Sequence, residues 1–197
     1  MRIIGLTGSI GMGKTTISNL LRGFGIAVHD SDAAVHKLYK GEAVPLVEAA
    51  FPGSTGPDGV DRNKLAEQVL GKPEALTRLE AIIHPLVAHD RDAFIAAACN
   101  RHADCCVLDI PLLFETGQQA KVDIILVVSS PYEIQRTRVL ERKGMTPERF
   151  DKILAMQTPD AEKRRLAHYC VDTRRELAST RAQLLQFLRA IGVGVAE

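Results

Sequence analysis

Residues 8–15 read Gly8-Ser9-Ile10-Gly11-Met12-Gly13-Lys14-Thr15, a complete G-x-x-x-x-G-K-S/T run, with Thr16 behind it. Glycines at those spacings let backbone N–H groups turn inward around a phosphate chain, and a helix starting at the end of the loop adds its positive dipole. Lys14 is placed to reach β- and γ-phosphates, and the Thr15 hydroxyl to bind Mg²⁺. A loop of this kind must be delivered by a strand and closed by a helix. The apolar run Ile3-Ile4-Gly5-Leu6-Thr7 precedes it, and Ile17, Leu20 and Leu21 follow at helical spacing. The segment therefore predicts binding of a nucleoside triphosphate.

Transfer of a phosphoryl group also needs carboxylates. Val28-His29-Asp30-Ser31-Asp32 ends the second apolar run, and two residues apart on an extended segment face the same way. Asp30 and Asp32 are thus placed over the carboxyl edge of a parallel sheet, where such folds bind ligands. Either can handle a hydroxyl proton or support a metal; the alternative for Asp32 is to cap a helix beginning at Ala33. Asp109 ends Val107-Leu108-Asp109, where an aspartate holds Mg²⁺ through water or simply terminates a strand. His84 precedes Pro85, which predicts an extended conformation at a helix end. His29, His36, His89 and His168 suggest no role.

The elements that must carry these residues are read from periodicity. Short apolar runs at Ile3–Thr7, Ile26–His29, Cys105–Ile110, Ile124–Val128 and Tyr169–Val171 alternate with helical segments, the pattern of a parallel sheet wrapped by helices. The last helix shows Leu177, Leu184, Leu185, Leu188 and Ile191 on one stripe, with Gly192 as its C-cap. Two intervals are longer than a crossover needs. Residues 33–102 read as a helical insertion able to hold a second substrate, with amphipathic stretches at 62–70 and 73–83 and a turn-rich break at 52–59. Residues 133–165 carry nine Lys/Arg against six acids and predict a helical lid over the triphosphate. The core then comprises about 1–32, 103–132 and 166–197.

At 197 residues, 46% hydrophobic and 25% charged, the chain has room for one such α/β domain. A net charge of +1 argues against a nucleic-acid-coating protein. Cys99, Cys105, Cys106 and Cys170 lack metal-ligand spacing, and Cys105 and Cys106 read as core in a reducing compartment. No apolar stretch approaches the roughly 18 residues that span a bilayer. With no leader read ahead of Ile3, the expectation is a soluble cytoplasmic protein without a membrane partner. N-K-x-D, H-R-D and D-F-G signatures are absent, which turns the reading from GTPases and protein kinases toward a small-molecule kinase.

Taken together, the loop with Leu6-Thr7 before it, Asp30-Ser31-Asp32, His84-Pro85-Leu86, Pro111-Leu112-Leu113-Phe114-Glu115 and the run Gln135-Arg136-Thr137-Arg138 through Arg142 resemble dephospho-coenzyme A kinases over nearly the whole chain. The resemblance implies a three-layer P-loop kinase fold with a five-stranded parallel sheet, a helical substrate-binding insertion and a lid. It implies that ATP, with Mg²⁺, phosphorylates the ribose 3′-hydroxyl of dephospho-coenzyme A. On this resemblance Asp32 is the base, Lys14 and Arg142 neutralise transferred charge, and His84 and Glu115 serve the acceptor side. Gly8, Gly11, Met12, Gly13, Lys14, Thr15 and Thr16 bind the nucleotide, and Thr15 and Asp109 the metal. Thr173 stands where the family carries asparagine near the adenine, leaving backbone groups to contact the base. Rival readings are a kinase for another small acceptor on the same scaffold, or a non-catalytic nucleotide sensor.

Overall fold

In the computed structural model, which describes residues 1–194, the chain divides into two compact units. Of the described residues, 1–29 and 98–194 form one, and 30–97 the other.

The first unit is built on a five-stranded sheet of order β2-β5-β1-β6-β7. Its strands are β1 (Arg2–Thr7), β2 (Val28–Asp30), β5 (Cys105–Asp109), β6 (Ile124–Ser129) and β7 (Tyr169–Asp172). β1 lies parallel to both β5 and β6, with Leu6 opposite Asp109 and Leu126, and β7 runs parallel to β6. Near-continuous apolar strands suit this arrangement, because helices cover both faces of a parallel sheet. On one face Ile4, Leu6, Val107, Leu126, Val128 and Val171 share a core with Ile17 and Leu21 of α1 (Lys14–Gly23) and Leu184, Phe187 and Leu188 of α9 (Leu177–Ala190). α9 ends as read: Gly192 is left-handed at φ 71°, and the N–H groups of Gly192 and Val193 return to Arg189 and Leu188 in a Schellman motif. Its buried stripe differs from the one read. Leu177 is 57% exposed and Phe187 buried, because the helix begins at Leu177, where no preceding turn covers the side chain.

The segment after β6 forms α6 (Tyr132–Leu140), α7 (Pro147–Ala155) and α8 (Asp160–Leu166). Thr146 caps α7 by accepting the Arg149 N–H, with Pro147 in the first helical position.

The second unit contains α2 (Ser31–Leu38), α3 (Ala43–Ala50), a hairpin of β3 (Thr55–Gly56) and β4 (Gly59–Val60), α4 (Arg62–Val69) and all but the last three residues of α5 (Pro73–Asn100). Leu38, Ala43, Val47, Phe51, Leu65, Val69 and Ile83 form its own core. Two expectations are corrected. The helix read as ending at His84-Pro85 runs 28 residues through Pro85 to Asn100, so His84 is helical, not extended. Pro85 removes one N–H from the ladder at a cost of about 3 kcal/mol. Packing of Leu79, Ile82, Ile83, Leu86 and Val87 against this core offsets it, so tertiary burial overrides the local rule. Likewise α2 begins at Ser31, not Ala33: Asp30, not Asp32, is its N-cap and accepts the Ala33 N–H at 3.0 Å.

The hairpin gives a test. Gly59 sits at φ 104°, and a Cβ there would lie 2.2 Å from the Tyr39 carbonyl oxygen; Gly53, at φ 79°, faces open space. Gly53→Ala should lose only the left-handed penalty, about 1–2 kcal/mol. Gly59→Ala adds a backbone clash and should lose clearly more in urea unfolding. Equal losses would refute this account of the turn.

Candidate active site

The phosphate loop leaves β1 where β6 runs alongside, and its glycines are forced by what surrounds them. A Cβ on Gly8 would lie 2.7 Å from the Val128 carbonyl oxygen, and one on Gly11 2.4 Å from Val139 Cγ2. Gly11 and Gly13 are left-handed, at φ 78° and 93°, which only glycine adopts without strain. Gly13 is the N-cap of α1. The Met12 N–H is used within the loop, donating to Ser9, while Thr16 and Ile17 donate to the Gly13 carbonyl. Among the described residues the N–H groups of Gly11, Gly13, Lys14 and Thr15 have no acceptor. Four donors at a helix N-terminus form a ready anion cradle.

Asp109 at the end of β5 is 2% exposed. One carboxylate oxygen pairs with Lys14 Nζ and the other accepts from Ser18 Oγ at 2.6 Å. A buried carboxylate is tolerable when paired in this way. The sequence reading missed Ser18, although its position four residues after Lys14 puts both on one face of α1. Thr15 and Thr16 lie exposed on the first turn of α1.

On the far side of the loop, Thr173 is buried and its Oγ1 donates to the Met12 carbonyl at 2.8 Å. Arg138 of α6 reaches Thr173 with both guanidinium nitrogens, at 2.9 Å to Oγ1 and 2.7 Å to the carbonyl oxygen. Arg138 is therefore committed to the protein, whereas Arg142, in the exposed turn after α6, makes no side-chain pair among the described residues.

Glu115 is likewise engaged. Its Oε1 lies 2.8 Å from Lys163 Nζ and accepts the Thr158 N–H at 2.8 Å. Lys163 is fully buried, so it is no solvated lid charge as its neighbours in sequence suggest. Burial pushes the Glu115 carboxyl up, but Lys163 and the Thr158 N–H more than offset this and hold it below the ordinary range.

In the second unit Asp30 is occupied as a cap. Asp32 sits in the first turn of α2 with an exposed carboxylate that has no hydrogen-bond or ionic partner among the described residues. His84 is exposed on α5.

Residues 2–179 match the dephospho-CoA kinase family model. The chain belongs to the dephospho-CoA kinase family. It is an enzyme of that type, similar over 98% of its length to the dephospho-CoA kinase of Rhizobium etli, with 54% identity and 96% of that chain covered. It is 55% identical to the dephospho-CoA kinase of Mesorhizobium japonicum over 93% of each chain. Among solved structures, a Thermus thermophilus protein superposes with a TM-score of 0.84 at 33% identity, covering 98% of both chains. The Acinetobacter baumannii shikimate kinase shares the fold at TM-score 0.53 and 19% identity, covering 96% of this chain and 94% of its own. The P-loop kinase fold expected for a small-molecule kinase is thus confirmed.

The Glu115–Lys163 pair predicts how a member of this family should respond to acid. A carboxyl whose value is depressed on folding contributes stability above its unfolded pKa and loses it as pH falls through the folded one. Wild-type stability should therefore decline as pH drops from the ordinary glutamate range through the depressed value, and Glu115→Gln should lack this part of the decline. Lys163→Met, which strands the carboxylate, should cost about 3–5 kcal/mol at neutral pH. Urea titrations across pH check both, and overlapping wild-type and Glu115→Gln profiles would defeat the assignment.

Proposed function

We propose that the protein transfers the γ-phosphoryl group of ATP to the ribose 3′-hydroxyl of dephospho-coenzyme A, releasing ADP and coenzyme A, the last step of coenzyme A synthesis. The observation that carries this reading is the unsatisfied cradle. In a chain of the dephospho-CoA kinase family, four loop N–H groups lack acceptors among the described residues, beside a lysine held by Asp109.

Phosphoryl transfer asks the protein mainly for positioning and charge neutralisation. The loop from Gly8 to Gly13 and the first turn of α1 take the β- and γ-phosphates, with Thr16 beside them. Lys14 donates to the phosphate oxygens from the position at which Asp109 holds it. Arg142, exposed and without a partner among the described residues, neutralises charge that moves toward the leaving oxygen. Asp32 accepts the proton of the attacking hydroxyl: its carboxylate is exposed and, among the described residues, unpaired, as suits a base awaiting its substrate. Asp30 cannot share this task while it caps α2.

The donor set near the loop suits Mg²⁺, which takes hard oxygen ligands and keeps several waters. The exposed Thr15 hydroxyl would bind it directly and Asp109, whose oxygens serve Lys14 and Ser18, through water. When bound, the ion neutralises charge on the phosphates. For the acceptor, His84 offers an exposed imidazole on α5. Glu115 contributes by positioning, since Lys163 and Thr158 take its carboxylate. We place the reaction in the cytoplasm: all four cysteines are free thiols, and no helix among the described residues is long and apolar enough to cross a membrane.

Two measurements test the reading. Product analysis with dephospho-coenzyme A, shikimate and gluconate as acceptors should give ADP and a 3′-phosphorylated product with the first alone; no turnover of dephospho-coenzyme A would sink it. Asp32→Asn should bind ATP normally while kcat falls about 10²–10⁴-fold. Near-normal turnover in that variant removes Asp32 from the mechanism.

A further inference from the structure

Ile10 lies in the middle of the phosphate loop, outside any helix or strand, yet both of its backbone polar groups are held by side chains distant in sequence. Its N–H donates to Gln157 Oε1 at 3.1 Å, and its carbonyl oxygen accepts from Gln135 Nε2 at 2.7 Å. Gln135 belongs to α6 and is 2% exposed; Gln157 follows α7, where its own N–H donates to the Leu154 carbonyl. α6 also crowds the next residue of the loop, since Val139 Cγ2 and the Gln135 carbonyl oxygen occupy the space beside Gly11.

The two amides act on a choice the loop has to make. Within the loop the N–H of Met12 is consumed internally, those of Gly11, Gly13, Lys14 and Thr15 have no acceptor among the described residues, and that of Ile10 donates to Gln157. A glycine-rich segment has many accessible backbone conformations, and a peptide rotation at Ile10 would carry its neighbours with it. Holding both groups of one residue fixes the two peptide planes that flank it. We infer that Gln157 and Gln135 are positioning residues: as a clamp on Ile10 they set the direction of the loop N–H groups toward the donor's phosphates. The segment following β6 thus shapes the donor site from its backbone side, besides supplying charge from Arg142. This inference rests on the reading that the loop holds the ATP phosphates.

The chemistry of the two amides is opposite, which makes the clamp separable from packing. Gln157 acts as an acceptor, so Gln157→Glu keeps the bond to the Ile10 N–H while Gln157→Met loses it. Gln135 acts as a donor, so Gln135→Glu loses the bond and sets a carboxylate against a carbonyl oxygen. With the full chain, equilibrium dissociation constants for Mg·ATP and KM values for both substrates should be measured for these variants and for Lys14→Ala. Expected are ATP binding within about twofold of wild type for Gln157→Glu, and about tenfold weaker for Gln157→Met and Gln135→Glu. KM for dephospho-coenzyme A should stay at the wild-type value in all of them. Should buried Gln135 variants not fold, the Gln157 pair alone decides. Equal effects of Glu and Met at position 157, or wild-type ATP binding by Gln157→Met, overturn the clamp while Lys14→Ala remains impaired. Wild-type ATP binding by Lys14→Ala instead overturns the donor-site reading, and the clamp with it.

Discussion

A carboxylate buried at the end of a central strand is the constraint on which the glycine-rich loop of this protein depends. Asp109 is 2% exposed, and an isolated charge there would be intolerable. Its partners come from one face of a single helix: Lys14 from the first turn of α1 and Ser18 from the next. Satisfying Asp109 therefore fixes the rotation of α1 about its axis as well as its distance from β5. Once α1 is fixed, so is the direction of its free N–H groups, and the loop that joins it to β1 has little latitude left. The steric limits at Gly8 and Gly11 remove most of what remains, because backbone and side chains of β6 and α6 already fill the space where Cβ atoms would lie. One electrostatic requirement and two steric ones produce the cradle.

A second buried ion pair performs the corresponding task for the segment after β6. Lys163 on α8 is fully buried against Glu115, which also takes the Thr158 N–H. Such a pair gains little net stability over an apolar substitute, but leaving one member alone is costly. Its effect is to specify one seating of α8 relative to the turn after β5. That turn is tied in its own right to β1, through the Thr7 hydroxyl donating to the Pro111 carbonyl and the Ile110 N–H to Leu6. The strand that launches the phosphate loop and the segment that grips it are thereby registered to one another through protein groups alone.

Much of this was readable from the residue order, and the boundary of what was readable follows the range of the interactions. The loop is legible because its chemistry is local: eight adjacent residues carry the turn, the cation and the hydroxyl. The strands are legible because burial on both faces leaves continuous apolar runs, though β2 ends at Asp30 and not His29. Pro85 misleads because the rule against proline in helices is local, while the core that holds α5 together draws on residues 38 to 87. Asp30 and Asp32 could not be told apart by spacing, since both suit a helix start; only the hydrogen bond to Ala33 separates them. Lys163 was hidden in a run of exposed charges, because its partner lies 48 positions away and nothing in its neighbours marks it as buried. Gln135 and Gln157 were hidden for the same reason, as glutamine on a helical segment is ordinarily a surface residue.

Thr173 shows how one buried side chain ties the turn after β7 to the loop. The threonine hydroxyl donates to the Met12 carbonyl and accepts from Arg138. The methyl group takes up space as well, since Thr173 Cγ2 lies 3.4 Å from where a Cβ on Gly13 would sit. The one polar atom of this buried side chain is thus engaged both by the loop and by the arginine. The threonine therefore belongs to the scaffold of the loop. Arg138, which donates to the Thr173 carbonyl as well, keeps that turn in place against α6. The loop is consequently held by side chains from three parts of the fold: Thr173 on Met12, Gln135 and Gln157 on Ile10, and Asp109 on Lys14 and Ser18 of the helix that ends it.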